Sequence, residues 1–146
     1  MHEIAANPFC ASHSNARSLC RRGRNLPDEL IRRIAGLGGI IGINYYGPFL
    51  SDTPDKRQIY FSRVKDIASH IRHIAGLGGI SCIGLGSDFD GIDSNLELSD
   101  CSHMELLEHE LKKCGFHERE VEQIFYRNAL NFYPGWQAIR CSRTRW

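Results

Sequence analysis

The chain has 146 residues, 42% of them hydrophobic, with a formal charge balance of +1. This suits one modest globular core and leaves no surface basic enough to imply a nucleic-acid partner. Its longest apolar runs fall far short of the ~20 residues of a membrane helix, and "MHEIAANPF" lacks a leader's basic and apolar regions, so a chain without transmembrane segment or signal peptide, cytoplasmic by default, is expected.

In chain order, "NPFCASHS" reads as a short strand and "RRGRN" as a polar connection. Pro27, Asp28 and Glu29 suit a helix's first turn, where a missing N–H is harmless and negative charge meets the positive end of the dipole. Leu30, Ile31, Ile34 and Ala35 then share one face, and Gly38-Gly39 stops the helix. "IIGINYY" follows as a continuous apolar strand. A second cycle repeats the first: Val64, Ile67, Ala68, Ile71, Ile74 and Ala75 mark a helix ending at Gly78-Gly79, and "ISCIGLGSD" is the next strand. Strands that are apolar throughout belong to a parallel sheet covered by helices. Two more helices are predicted, one on Met104, Leu107 and Leu111, the other on Val121, Ile124, Phe125, Ala129 and Phe132.

The six cysteines (Cys10, Cys20, Cys82, Cys101, Cys114 and Cys141) form no C-x-x-C pair, which excludes a zinc ribbon and favours reduced, buried or incidental thiols. The arginines of the closing "RCSRTRW" read as a solvated end.

"IAGLGG" occurs at residues 34–39 and again at 74–79. A phosphate loop needs a strand leading through glycines into a helix, whereas these glycines follow helices. Each copy is therefore read as a helix end, a tight turn and a strand start, one period of a β/α array. In such arrays ligands gather at the carboxyl ends of the strands. Those ends are "ASHSNAR", "INYYGPFL" and "GLGSDFDG", which place His13 at the first tip and Asp88 at the third.

Imidazole and carboxylate on neighbouring tips suit a metal site with an acid/base. Each residue also has an ordinary reading: His13 as a solvated side chain in a polar turn, and Asp88 as a cap on turn amides. His70 and His73 are expected near the polar side of their helix, and His2, His103, His109 and His117 in terminal or charged surroundings. "DFDGID" is no calcium loop, because its glycine, Gly91, comes fourth rather than sixth. It is similar to the D-x-D-G-[TV] pattern of Mg²⁺-dependent aspartyl-phosphate phosphatases, with Asp88 as nucleophile and Asp90 as acid/base. The motif's late position, Ile92 in place of Thr or Val, and the preceding "GLGS" count against that reading.

Taken together, "ASHSNARSLCRRGRNLPDELIRRIAGLGGIIGINYYGPFL" and "CIGLGSDFDGID" resemble the membrane (renal-type) dipeptidase family, zinc metallopeptidases of the amidohydrolase superfamily on a (β/α)₈ barrel. The likeness runs from about residue 7 to about residue 132 and includes "NALNF" near the end. It implies that His13 ligates one of two zinc ions, that Arg24 binds the dipeptide near its carboxylate or the developing oxyanion, and that Asp88 moves the proton from water to the leaving amine. It also implies that Phe49 falls at an aromatic wall of the substrate pocket and that Asp90 orders its loop rather than reacting.

The resemblance further implies a partial barrel, strands six to eight with their helices and a C-terminal helix, over residues 1–133, followed by a divergent basic tail at 134–146. A whole barrel takes about 250 residues. The family's H-x-D pair, bridging glutamate and fifth-strand histidine have no match here. A C-terminal part of a dipeptidase, binding zinc weakly and inactive alone, is therefore the expectation, with a dipeptide as substrate and a second copy or a complementing N-terminal portion as partner. A non-catalytic remnant is the alternative.

Overall fold

Three parallel strands stand side by side in chain order in the computed structural model, which describes residues 7–92 and 97–133. They are β1 (Cys10–Ala11), β2 (Ile40–Ile43) and β3 (Ile83–Leu85). Cys10 pairs with Ile40, and Ile41 with Ile83. The helices are α1 (Asp28–Gly36), the short α2 (Gly47–Leu50), α3 (Val64–Gly78) and α4 (Met104–Lys113). A last helix comprises α5 (Glu118–Glu122), a wide π turn (Gln123–Arg127) and α6 (Asn128–Phe132). No helix among the described residues is long and apolar enough to cross a membrane.

The predicted helical faces form the core. Ile31 and Ile34 of α1 pack with Ile67, Ile71 and Ile74 of α3 and with Ile41, Ile43 and Ile83 of the sheet, all fully buried. Leu107, Leu111, Val121 and Ile124 extend it under the later helices. Asp28 and Glu29 occupy the first turn of α1 as the dipole requires. The cap of α3 comes from far along the chain: Val64 N–H donates to Glu97 Oε2 at 2.9 Å.

Several expectations change. Of "IIGINYY" only Ile40–Ile43 is strand, because the Asn44 amide turns to the Asn15 side chain. Of "ISCIGLGSD" the first three residues form a 3₁₀ turn (Ile80–Cys82), so the second "IAGLGG" does not lead directly into a strand. Cys82 lies in that turn rather than in a strand, with its thiol donating to the Gly79 carbonyl at 3.1 Å. Asn128, placed inward just after the π turn, donates to the carbonyls of Ile80 and Ile83 at 2.7 and 2.8 Å and secures the start of β3.

His70 is the clearest correction. Rather than facing the polar side of α3 it is buried, accepting the Ala16 N–H at Nδ1 (3.0 Å) and donating from Nε2 to the Leu50 carbonyl (3.1 Å). Burial lowers its pKa to about 4, so it stays neutral. His73 is half-buried against Asp28 at 3.0 Å. Asp28 titrates below the usual carboxylate range through hydrogen bonds from Ser18 and then from His73. Cys10, Cys20, Cys82, Cys101 and Cys114 are free thiols, and burial, with Asp52 beside it, pushes Cys20 up to about 11. Cys141, His2 and the tail 134–146 lie outside the described residues.

Candidate active site

The ends of the three strands converge because glycine lets the backbones close up. A Cβ on Gly42 or on Gly86 would overlap the Ser12 carbonyl, so the residue after β1 crosses the ends of β2 and β3 only where side chains are missing. Ser14 N–H then donates to the Gly42 carbonyl (2.7 Å), and Gly86 N–H to that of Ile43 (3.0 Å). The result is a shallow cleft of about 290 Å³ lined by Ser12, His13, Leu85, Gly86, Ser87 and Asp88.

His13 is half-buried at one side of this cleft, with Nδ1 2.8 Å from Ser12 Oγ and Nε2 2.9 Å from Arg24 Nη2. A guanidinium only donates, so Nε2 is the acceptor and the ring proton sits on Nδ1, directed at Ser12. Arg24 reaches this point from a loop closed at its base by Arg17 N–H to the Leu26 carbonyl (2.8 Å) and Leu26 N–H to that of Asn15 (2.7 Å). Inside the loop the Arg17 guanidinium donates to the carbonyls of Asn25 and Gly23 at 2.8 and 2.9 Å. The buried Asn25 amide donates to those of Cys20 and Phe49 at 2.8 and 2.9 Å.

Asp88 is exposed at the other side of the cleft. Its φ of +63° lies in the left-handed region, which aspartate tolerates better than most residues. Oδ2 accepts from Asn44 Nδ2 at 3.2 Å. Asn44 is itself buried: its Oδ1 accepts Tyr46 N–H (2.7 Å), while its backbone N–H and carbonyl are both paired with the Asn15 carboxamide (3.1 and 3.0 Å). Asn15 thus acts as one link of strand pairing beyond the end of β2.

The structure therefore brings His13 and Arg24 into contact and sets Asp88 in the same cleft. Phe49 is not among the residues lining that cleft. It packs edge-on against Tyr46, with centroids 5.1 Å apart, and its carbonyl receives both Asn15 and Asn25. Asp90 is exposed two residues beyond Asp88. Sequence reasoning missed Asn15, Asn25 and Asn44. The available signal was a polar residue inside an apolar run, as Asn44 is in "IIGINYY".

Among the described residues no three His, Cys, Asp or Glu side chains converge as a metal cluster. One imidazole, with its Nε2 lone pair taken up by Arg24, and one carboxylate do not fit a dinuclear zinc centre, whose ions each want about three protein ligands.

Three parallel strands with helices, and an imidazole, a guanidinium and a carboxylate gathered at the strands' carboxyl ends, define an α/β protein whose candidate site lies at one rim of the sheet. The comparisons narrow this class. The sequence model of the membrane dipeptidase family (peptidase family M19) matches residues 1–142, and the chain belongs to that family of metallopeptidases. It is 34% identical over 134 residues to an uncharacterized protein in the pqqA 5' region of Klebsiella pneumoniae, covering 91% of this chain and 49% of that protein. To dipeptidase 3 of Mus musculus it is 30% identical over 139 residues, 94% of this chain and 27% of the relative.

Among solved structures, a metallopeptidase of Rhodobacter sphaeroides liganded with a phosphinate mimic of the dipeptide L-Ala-D-Ala aligns with a TM-score of 0.77 and 26% identity, over 86% of this chain and 35% of that one. Another, dipeptidase AC, gives a TM-score of 0.78 and 26% identity over 88% and 37%. The chain spans about half or less of the length of these relatives.

Proposed function

We propose that the chain supplies one side of a dipeptidase active site, formed by the strand ends of a (β/α)₈ barrel segment, and that it hydrolyses dipeptides only together with the ligands it lacks. The observation that carries this reading is the gathering of His13, Arg24 and Asp88 at adjacent parallel strand ends in a chain of the membrane dipeptidase family. Arg24 would hold the free carboxylate of a dipeptide, or the developing oxyanion, with a planar fork of donors. Asp88 would accept a proton from the attacking water and return it to the leaving amine, its carboxylate aimed by Asn44. His13, in the Nδ1–H tautomer, would be this chain's metal ligand, and Phe49 and Tyr46 an aromatic flank. The remaining ligands belong to a longer chain or to a complementing N-terminal portion.

The phosphatase reading gains nothing from the geometry. It needs a strand running straight into its first aspartate, whereas β3 ends at Leu85 and Asp88 sits in a left-handed turn.

The test has two arms. The purified 146-residue chain with zinc is expected to show no dipeptide turnover; turnover there sinks the dependence on missing ligands. In a chimera where residues 7–133 replace the matching part of the Rhodobacter sphaeroides metallopeptidase, Asp88→Asn is expected to lower kcat by roughly 10²–10⁴. A folded, active chimera indifferent to that change sinks the assignment of Asp88.

A further inference from the structure

Asn15, Asn25 and Asn44 are buried behind the two exposed side chains given the substrate and the proton, Arg24 and Asp88. Among the described residues the Asp88 carboxylate accepts a hydrogen bond from Asn44 alone. Asn44 is in turn fixed by Asn15, whose carboxamide takes its backbone N–H (3.1 Å) and donates to its carbonyl (3.0 Å). The Asn15 amide also donates to the Phe49 carbonyl at 3.3 Å, and the other lone pair of that oxygen takes the Asn25 amide at 2.9 Å. Asn25 directly follows Arg24. One fully buried carboxamide is thus tied on one side to Asp88, through Asn44, and on the other to the backbone that carries Arg24. A shorter side chain could not bond the Asn44 N–H and carbonyl together, and would leave buried backbone groups unpaired.

We propose that Asn15 is a positioning residue that sets the spacing of Asp88 and Arg24 across the cleft. The proposal rests on the roles given above to those two residues. In a dipeptide the leaving amine and the free carboxylate belong to the same C-terminal residue, so the proton carrier and the guanidinium must stand one residue's span apart. Neither exposed side chain fixes that span by itself; the buried carboxamide between their supports does.

Two measurements test this. In the full 146-residue chain without metal, ¹⁵N NMR follows the Asn44 carboxamide and the Arg24 guanidinium. Asn15→Ser is expected to move both sets of signals while the backbone amides of α3 stay in place. Signals of either group that ignore the change overturn the proposal. In the chimera with the Rhodobacter sphaeroides metallopeptidase, Asn15→Ser is expected to lower kcat roughly 10²-fold, the cost of a misplacement of about 1 Å. Added to Asp88→Asn it is expected to cost little more, because it acts through the carboxylate already removed. Losses that multiply overturn the proposal and leave the reading of Asp88 standing. A fully active Asp88→Asn chimera overturns that reading and the proposal with it. Should Asn15→Ser fail to fold, Asn15→Asp, which keeps the acceptor for the Asn44 N–H, is read by the same criteria.

Discussion

At residues 34–39 the hexapeptide "IAGLGG" closes α1 in a Schellman turn: Gly39 N–H donates to the Ile34 carbonyl, Gly38 N–H to that of Ala35, and Gly38 has a φ of +73°. β2 begins on the next residue, where Ile40 N–H reaches the Phe9 carbonyl at 3.2 Å. At residues 74–79 the same six letters keep α3 helical through Gly78, put the positive φ (+82°) on Gly79, and pass into a 3₁₀ turn before β3. Ile41 consequently pairs with Ile83, two residues beyond Ser81, its counterpart in the repeat. An even shift preserves which face each side chain takes, so the delay leaves both the core and the strand ends correctly aimed. A turn is thus decided by what the following residues can pair with as well as by its own letters. Ile40 meets β1 at once, while the stretch before Ile83 is secured by Asn128 from the last helix.

Substitutions can break or sharpen this comparison. The largest effect is expected at His70, whose counterpart in the first repeat is Leu30. Making the repeats alike there, His70→Leu removes the bonds to Ala16 and Leu50 and is expected to cost roughly 3 kcal/mol in urea unfolding at neutral pH. It also abolishes a pH dependence. With a pKa near 4 in the folded chain and an ordinary value of 6.5, the unfolded state binds the proton first. His70 therefore adds stability above about pH 6.5 that is lost as pH falls toward 4, roughly 3 kcal/mol in all. A slope in that window that persists in His70→Leu would falsify the assignment.

Next comes the crowded glycine of each turn, the second of its pair in the first repeat and the first of its pair in the second. A Cβ on Gly39 would stand 2.6 Å from the Phe9 carbonyl oxygen, which is backbone and cannot rotate away, and one on Gly78 would stand 2.6 Å from the Ala35 Cβ. Gly39→Ala is expected to cost about 3 kcal/mol and Gly78→Ala, where the helices can shift, about 2. The reverse order would mean that helix packing, rather than strand pairing, limits the repeat. Gly38→Ala and Gly79→Ala have open surroundings and positive φ, so each should lose stability only to backbone strain, about 1 kcal/mol at Gly38 and about 2 kcal/mol at Gly79, whose ψ of 166° lies in a region almost reserved for glycine. Smallest and opposite in sign, Gly36→Ala and Gly76→Ala lie in helices with nothing near the new methyl group. A gain of up to about 1 kcal/mol is expected at each, and a loss at either position would contradict the open surroundings of its new methyl group.

Much of the fold was legible because it is local. The period of Ile31, Ile34, Ile67, Ile71 and Ile74 announces two helical faces, and the apolar runs after them announce buried parallel strands. The candidate site was legible in part, since strand tips follow from strand positions and His13 and Asp88 stand at two of them. What was hidden are contacts between residues distant in the chain. His70 reads as a polar-face histidine until Ala16, 54 residues earlier, donates to it, and Asn44 reads as one more strand residue until Asn15 and Asp88 close around it.

From its sequence alone this protein is a β/α chain of the membrane dipeptidase type with an imidazole and a carboxylate at its strand tips, because side-chain periodicity and motif spacing are properties of consecutive residues. Only the tertiary structure decided that Arg24 lies on the His13 lone pair, that Asn44 aims Asp88, and that one hexapeptide makes two different turns. Each depends on which donor meets which acceptor across the fold, and a buried polar group takes the partner that packing presents to it.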